Sequence, residues 1–140
     1  MTTNNMQTLD RTTDSKAVSL PPKNILVVDD EPFVCDAVRM MLSFDGHGVT
    51  TVSSAREGLT KLATGDFDLV ITDFAMPVMK GNELAAAVKG RHPGIPVIMI
   101  TAYAEILDPT RDSLESVDAV LSKPFMLEDL RDAVHKAFVK

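Results

Sequence analysis

The sequence predicts an α/β domain, a five-stranded parallel sheet with helices on both faces. Three observations carry that class. Short apolar, β-branched runs alternate with segments whose apolar residues recur at three- and four-residue spacing, in the order β-α-β-α-β-α. The runs are apolar on both faces, as strands are when a parallel sheet is covered from both sides. Several of the runs also end in a polar or charged residue, which gathers chemistry at the carboxyl edge of the sheet.

Residues 1–22 are rich in Thr, Asn, Asp and Ser and show neither periodicity, so they are expected to form a disordered leader. Pro21-Pro22 marks its boundary with a folded domain over 23–140. The first strand, Asn24–Val28, leads into Asp29-Asp30-Glu31-Pro32. A helix follows, with Val34, Ala37, Val38, Met41 and Leu42 on one face, Pro32 in its first turn and Gly46 as its stop. His47–Val52 reads as the second strand, with His47 at the surface of the preceding turn. Ser54 and Glu57 form a capping box for a helix that buries Leu59, Leu62 and Ala63 and ends at Gly65. The third strand, Asp68–Ile71, leads to Asp73. Gly81 and Asn82 open the next helix, which Gly90 and Pro93 end.

Pro96–Ile100 is the fourth strand and runs into Thr101. Asp108-Pro109 predicts an N-cap and first position for a short fourth helix over about 109–116. Ala119–Leu121 is the fifth strand, followed by Ser122-Lys123-Pro124, where the Lys-Pro bond is a candidate for the cis form. Leu127, Leu130, Val134, Ala137 and Phe138 share one face of the fifth and last helix.

Composition narrows the function classes. The chain has 140 residues, 45% of them apolar, enough for one domain with a real core. Its formal net charge is −6 with no basic block, which argues against direct nucleic-acid binding. No apolar run approaches the roughly 18 residues of a membrane span. The single cysteine, Cys35, has no internal disulfide partner, in keeping with a reducing, cytoplasmic location. The phosphate-cradling glycine loops of nucleotide-binding enzymes are absent.

The carboxyl edge holds the candidate chemistry: Asp29 and Asp30, Asp73, Thr101 and Lys123. Helix capping accounts for one or two acids after the first strand. Three in a row there repel one another unless a cation sits among them, and hard Mg²⁺ takes such oxygen ligands. A lone strand-end threonine or lysine is ordinarily just solvated. Together, a nucleophilic carboxylate, a divalent cation, a hydroxyl and an ammonium suit phosphoryl transfer.

Four stretches carry a resemblance: Val-Val-Asp29-Asp30-Glu, Ile-Thr-Asp73-Phe-Ala-Met-Pro77, Ile-Thr101-Ala102 and Ser-Lys123-Pro124-Phe125. Over residues 23–139 the chain resembles the receiver domain of a two-component response regulator. The resemblance implies a flavodoxin-like three-layer sandwich with strand order 2-1-3-4-5. It implies Asp73 as phosphoacceptor, supplied by a sensor histidine kinase or a histidine phosphotransfer protein. It also implies Mg²⁺ held by Asp29, Asp30, Asp73 and the backbone carbonyl of Ala75, with Thr101 and Lys123 binding the phosphoryl group. The expected output is a change in the surface of helix four, strand five and helix five, read by a downstream protein target or output domain. The expected state is a monomer or a phosphorylation-linked dimer.

Three positions depart from the family pattern. Val120 stands where many receivers carry a switch aromatic, Pro109 shortens helix four, and Ala75 offers no side chain beside the acceptor. Tyr103, two residues after Thr101, is a candidate gate in compensation. The leading reading is a stand-alone receiver acting through a protein partner. A receiver cut from a longer regulator is the alternative. A Mg²⁺-dependent aspartyl hydrolase would want an acid two residues after the nucleophile, where Ala75 stands. A receiver that binds without phosphorylation would not need the intact acid, hydroxyl and lysine set.

Overall fold

The computed structural model describes residues 20–102 and 113–139. The elements are β1 Asn24–Val28, α1 Pro32–Phe44, β2 Gly48–Val52, α2 Ala55–Thr64, β3 Leu69–Asp73, α3 Gly81–Arg91, β4 Val97–Thr101, β5 Ala119–Ser122 and α4 Leu127–Phe138. All five strands are parallel, in the order β2-β1-β3-β4-β5, so the topology implied by the resemblance is the observed one. The chain reverses direction across the sheet between β1 and β3, which places a crevice at their carboxyl ends.

The uniformly apolar strands explain the three layers. Along β1, Ile25 and Val27 face one core with Leu69, Ile71, Ile98 and Ile100, under α1 and α4. Leu26 and Val28 face the other with Val70 and Val97, under α2 and α3. Both sets are sealed from solvent. Each such side chain contributes about 1.5–3 kcal/mol relative to exposure. Alternate residues are thus buried on opposite faces, and a one-residue slip of any central strand would exchange the two cores.

Local signals set most boundaries. Ser54 caps α2 by accepting from Glu57 N at 3.1 Å, and Glu57 reaches back to Ser53 N at 3.0 Å. Gly46, at φ 90°, turns the chain out of α1. Three details differ from the sequence reading. α3 passes through Gly90 to Arg91, because Val88 and Leu84 anchor that turn in the core, and it stops before Pro93. β3 spans Leu69–Asp73 rather than starting at Asp68 and stopping at Ile71, so the acid is itself the strand's last residue. His47 is buried and accepts a hydrogen bond from Lys23 N at 3.0 Å, locking the turn before β2 to the start of β1. The expected helix at 109–116 falls largely outside the described residues, as do Tyr103 and the leader up to residue 19. Residues 113–118 are turn and irregular chain.

Candidate functional site

The sheet delivers each predicted side chain to one edge. Asp29 follows β1 and is tied to the next strand by Asp29 N donating to Val52 O at 3.1 Å. Asp73 ends β3, and Phe74 N donates to Ile100 O at 2.9 Å, setting the acid level with the end of β4. Thr101 ends β4, buried, and its carbonyl accepts from Lys123 N at 2.9 Å. Lys123 precedes a cis peptide to Pro124, one of the two forms open to an X-Pro bond in the sequence.

The geometry converges on the lysine ammonium. Lys123 Nζ lies 3.2 Å from Asp73 Oδ1, 3.4 Å from Asp29 Oδ2 and 3.0 Å from Glu31 Oε1. Asp29, Asp30 and Asp73 each present a carboxylate oxygen within 4.8 Å of the others. Asp29 is fully buried and Asp73 nearly so, while Asp30 is exposed. Asp29 Oδ1 accepts from Glu31 N at 2.8 Å, but Asp29 Oδ2 accepts no hydrogen bond.

Electrostatics records the crowding. Burial, then the charge of Asp29, pushes the Asp73 carboxyl up to about 6, against the pull of Lys123. Burial also raises Asp29, outweighing the Glu31 N–H and Lys123. For Lys123, burial works downward, but the Glu31 hydrogen bond and the charges of Asp29 and Asp73 outweigh it and hold the ammonium above its ordinary value. One cation among four acids leaves net negative charge in a low-dielectric pocket.

Three hard oxygen donors within reach of one another, one of them on a buried carboxylate with an oxygen that accepts no hydrogen bond, fit Mg²⁺. Asp29, Asp30 and Asp73 are the side chains that would hold it.

Three features escaped the sequence reading. Glu31 was grouped with the acids, yet its side chain pairs with Lys123, 92 residues away. Gly81 is more than a helix opener. A Cβ there would meet Asp73 O at 2.2 Å, and Gly81 N donates to Phe74 O at 2.8 Å, so the start of α3 presses on the backbone of the acceptor. Val78, fully exposed at φ 74°, is the centre of a γ-turn closed by Met79 N to Pro77 O at 2.8 Å. A glycine as the first residue of the helix that follows a strand-end acid, and a third acid beside a pair, were the available signals.

Comparison with known proteins bears on the family and the fold. Residues 25–135 match the family described as response regulator receiver domain. The transcriptional regulatory protein GlrR of Escherichia coli is 35% identical over 120 residues, 86% of this chain and 27% of that protein. FleR of Pseudomonas aeruginosa is 34% identical over 79% of this chain and 23% of its own length. The chain therefore spans about a quarter of the length of these curated relatives. Among solved structures, the response regulator TrrA of Thermotoga maritima in complex with Mg²⁺–BeF superposes with a TM-score of 0.75 at 32% identity, covering 83% of this chain and 99% of that one. The chemotaxis response regulator CheY4 of Vibrio cholerae gives 0.76 at 28% identity, covering 84% and 100%. TrrA in complex with the histidine kinase ThkA gives 0.74 at 32%, covering 83% and 98%.

Proposed function

We propose that this chain, which belongs to the receiver-domain family of response regulators, takes a phosphoryl group onto Asp73. The observation that carries the residue assignment is the convergence of Asp73 Oδ1 and the buried Asp29 Oδ2 on Lys123 at 3.2 and 3.4 Å, the Asp29 oxygen ion-paired there but accepting no hydrogen bond. An Asp73 oxygen bonds to phosphorus as the donor's P–N bond breaks, the electron pair leaving on the histidine imidazole of a kinase or phosphotransfer protein. Mg²⁺, when bound by Asp29, Asp30, Asp73 and the Ala75 carbonyl, neutralises charge on the phosphoryl oxygens. Lys123 donates to those oxygens from its present position, and the Thr101 hydroxyl binds them from the end of β4. The chain acts as an acceptor rather than an enzyme on a separate substrate.

The partner docks beside the site. Phe33, Met40 and Phe44 are 89%, 72% and 77% exposed on α1, at spacings that form one stripe beginning two residues after Glu31. This supports a helical, phosphohistidine-bearing partner, as does the kinase complex of TrrA. Met40→Asp is expected to slow transfer from such a partner more than labelling by a small donor.

The acidic balance supports a protein target rather than direct nucleic-acid contact by this portion. Among the described residues no helix is long and apolar enough to cross a membrane, and we place the site's chemistry in the cytoplasm. Residues 23–140 serve as the signalling unit, with output through the face around β5, where Val120 is 41% exposed. The test is intact-mass analysis with Mg²⁺ and a small phosphodonor. Wild type gains a phosphoryl mass and Asp73→Asn does not; an unchanged adduct in the variant contradicts the assignment.

A further inference from the structure

We propose that Glu31 is the resting counter-ion of Lys123, a positioning residue that competes with the incoming phosphoryl group for the lysine ammonium. The inference rests on the reading of Asp73 as acceptor and adds a residue to it. An ammonium has three N–H donors. Three carboxylates surround this one: Glu31 at 3.0 Å, Asp73 at 3.2 Å and Asp29 at 3.4 Å. A phosphoryl group on Asp73 brings three further acceptor oxygens. Glu31 and Asp73 already take two of the three donors, so the phosphoryl oxygens compete with these resting contacts for the ammonium.

Burial decides which contact yields. The Asp29 side chain is 0% exposed and that of Asp73 6%, so neither can be rehydrated without opening the site. The Glu31 side chain is 60% exposed and returns to water at little cost. Its backbone, in contrast, is fixed. Glu31 N donates to Asp29 Oδ1 at 2.8 Å, and Glu31 O accepts from Val34 N at 3.1 Å and Cys35 N at 3.2 Å. Only the side chain is free to swing. Glu31 thus keeps Lys123 placed and neutralised at rest, and releases it when better acceptors arrive.

The test uses acetyl phosphate with Mg²⁺. An Asp73 oxygen bonds to phosphorus while the donor's P–O bond breaks and its electron pair leaves on acetate, and the rate is followed by intact mass. Glu31→Ala removes charge and reach; Glu31→Asp keeps the charge but loses the reach. Both are expected to accelerate adduct formation about three- to fivefold, the scale of a partly exposed ion pair. In the absence of donor and metal, both are also expected to raise the acylation rate of Lys123 by an amine-reactive ester by a similar factor. A Glu31→Asp protein that behaves like wild type would show that only charge matters and overturn the proposal. Unchanged rates in Glu31→Ala, by either readout, would overturn it as well. If wild type itself takes no phosphoryl group, the acceptor reading falls and the competition with it, whereas an Asp73 adduct with no Glu31 effect leaves that reading standing.

Discussion

The two edges of the sheet use charge in opposite ways. At the amino edge backbone N–H groups at the starts of the strands are matched one to one with side-chain acceptors. Asn24 N donates to Asp68 Oδ2 at 2.8 Å, Lys23 N to His47 Nδ1 at 3.0 Å, and Val97 N to Asp118 Oδ2 at 2.7 Å, with Lys89 Nζ completing Asp118 at 2.8 Å. At the carboxyl edge three aspartates crowd together, two buried side-chain oxygens, of Asp29 and Asn82, lack a hydrogen bond, and one lysine answers several acids. The first edge closes the domain. The second gives up stability to keep a site poised for a cation and a phosphoryl group.

The largest effect expected from disturbing this contrast lies behind the acceptor. Gly81→Ala forces a methyl against Asp73 O, a backbone atom that cannot move without shifting the site. Chemical denaturation should show a loss of about 3 kcal/mol, the upper range for overpacking, together with slower Asp73 phosphorylation.

Relief of charge comes next. The Asp73 carboxyl, pushed up to about 6 by burial and Asp29, lies above its unfolded value near 4. The folded state therefore binds the proton more strongly, so stability of the metal-free protein should rise as pH falls from neutral through about 6. Asp73→Asn should stabilise the metal-free protein by about 2 kcal/mol at neutral pH and flatten that rise. Mg²⁺ should stabilise wild type more than the variant. Thermal melts with and without the metal check all three.

The amino edge should respond to pH in the opposite direction. Burial lowers the His47 pKa, with Lys23 adding to the effect and Asp45 opposing it. Protonation at Nδ1 would also set a donor against Lys23 N–H. The unfolded state then binds the proton more strongly, so stability attributable to His47 is present above about 6.5 and is lost as pH falls below it. His47→Gln should remove that component, flattening the fall in stability in denaturation curves measured across this range.

The smallest effect belongs to the loop between β3 and α3. Val78 is a β-branched residue at φ 74°. Val78→Gly should stabilise by up to about 1 kcal/mol in the same assay, because glycine takes the positive-φ centre of a γ-turn without a Cβ clash.

What the sequence made legible follows from locality. Continuous apolar runs ending in Asp29, Asp73 and Thr101 marked the strands and their reactive edge, since burial on both faces and a polar terminus are written within a few residues. The Ser54–Glu57 cap was readable for the same reason. The burial of His47 was not, because its partner, Lys23 N, is 24 residues away and a lone histidine beside a glycine carries no mark of it. The contact between Gly81 and Asp73 and the reach of Glu31 to Lys123 are likewise properties of the folded edge. The helix end missed at Gly90 shows tertiary packing overriding a local breaker. Strand order itself came from resemblance rather than from any residue pattern.

The central claim is that Asp73, and not its acidic neighbours, takes the phosphoryl group. Borohydride reduces an acyl phosphate to an alcohol, so the modified aspartate becomes homoserine. Peptide mass analysis of the protein treated with Mg²⁺ and phosphodonor, then reduced, should place homoserine at position 73 alone. Homoserine at 29 or 30, or at no position despite an intact-mass adduct, would contradict it.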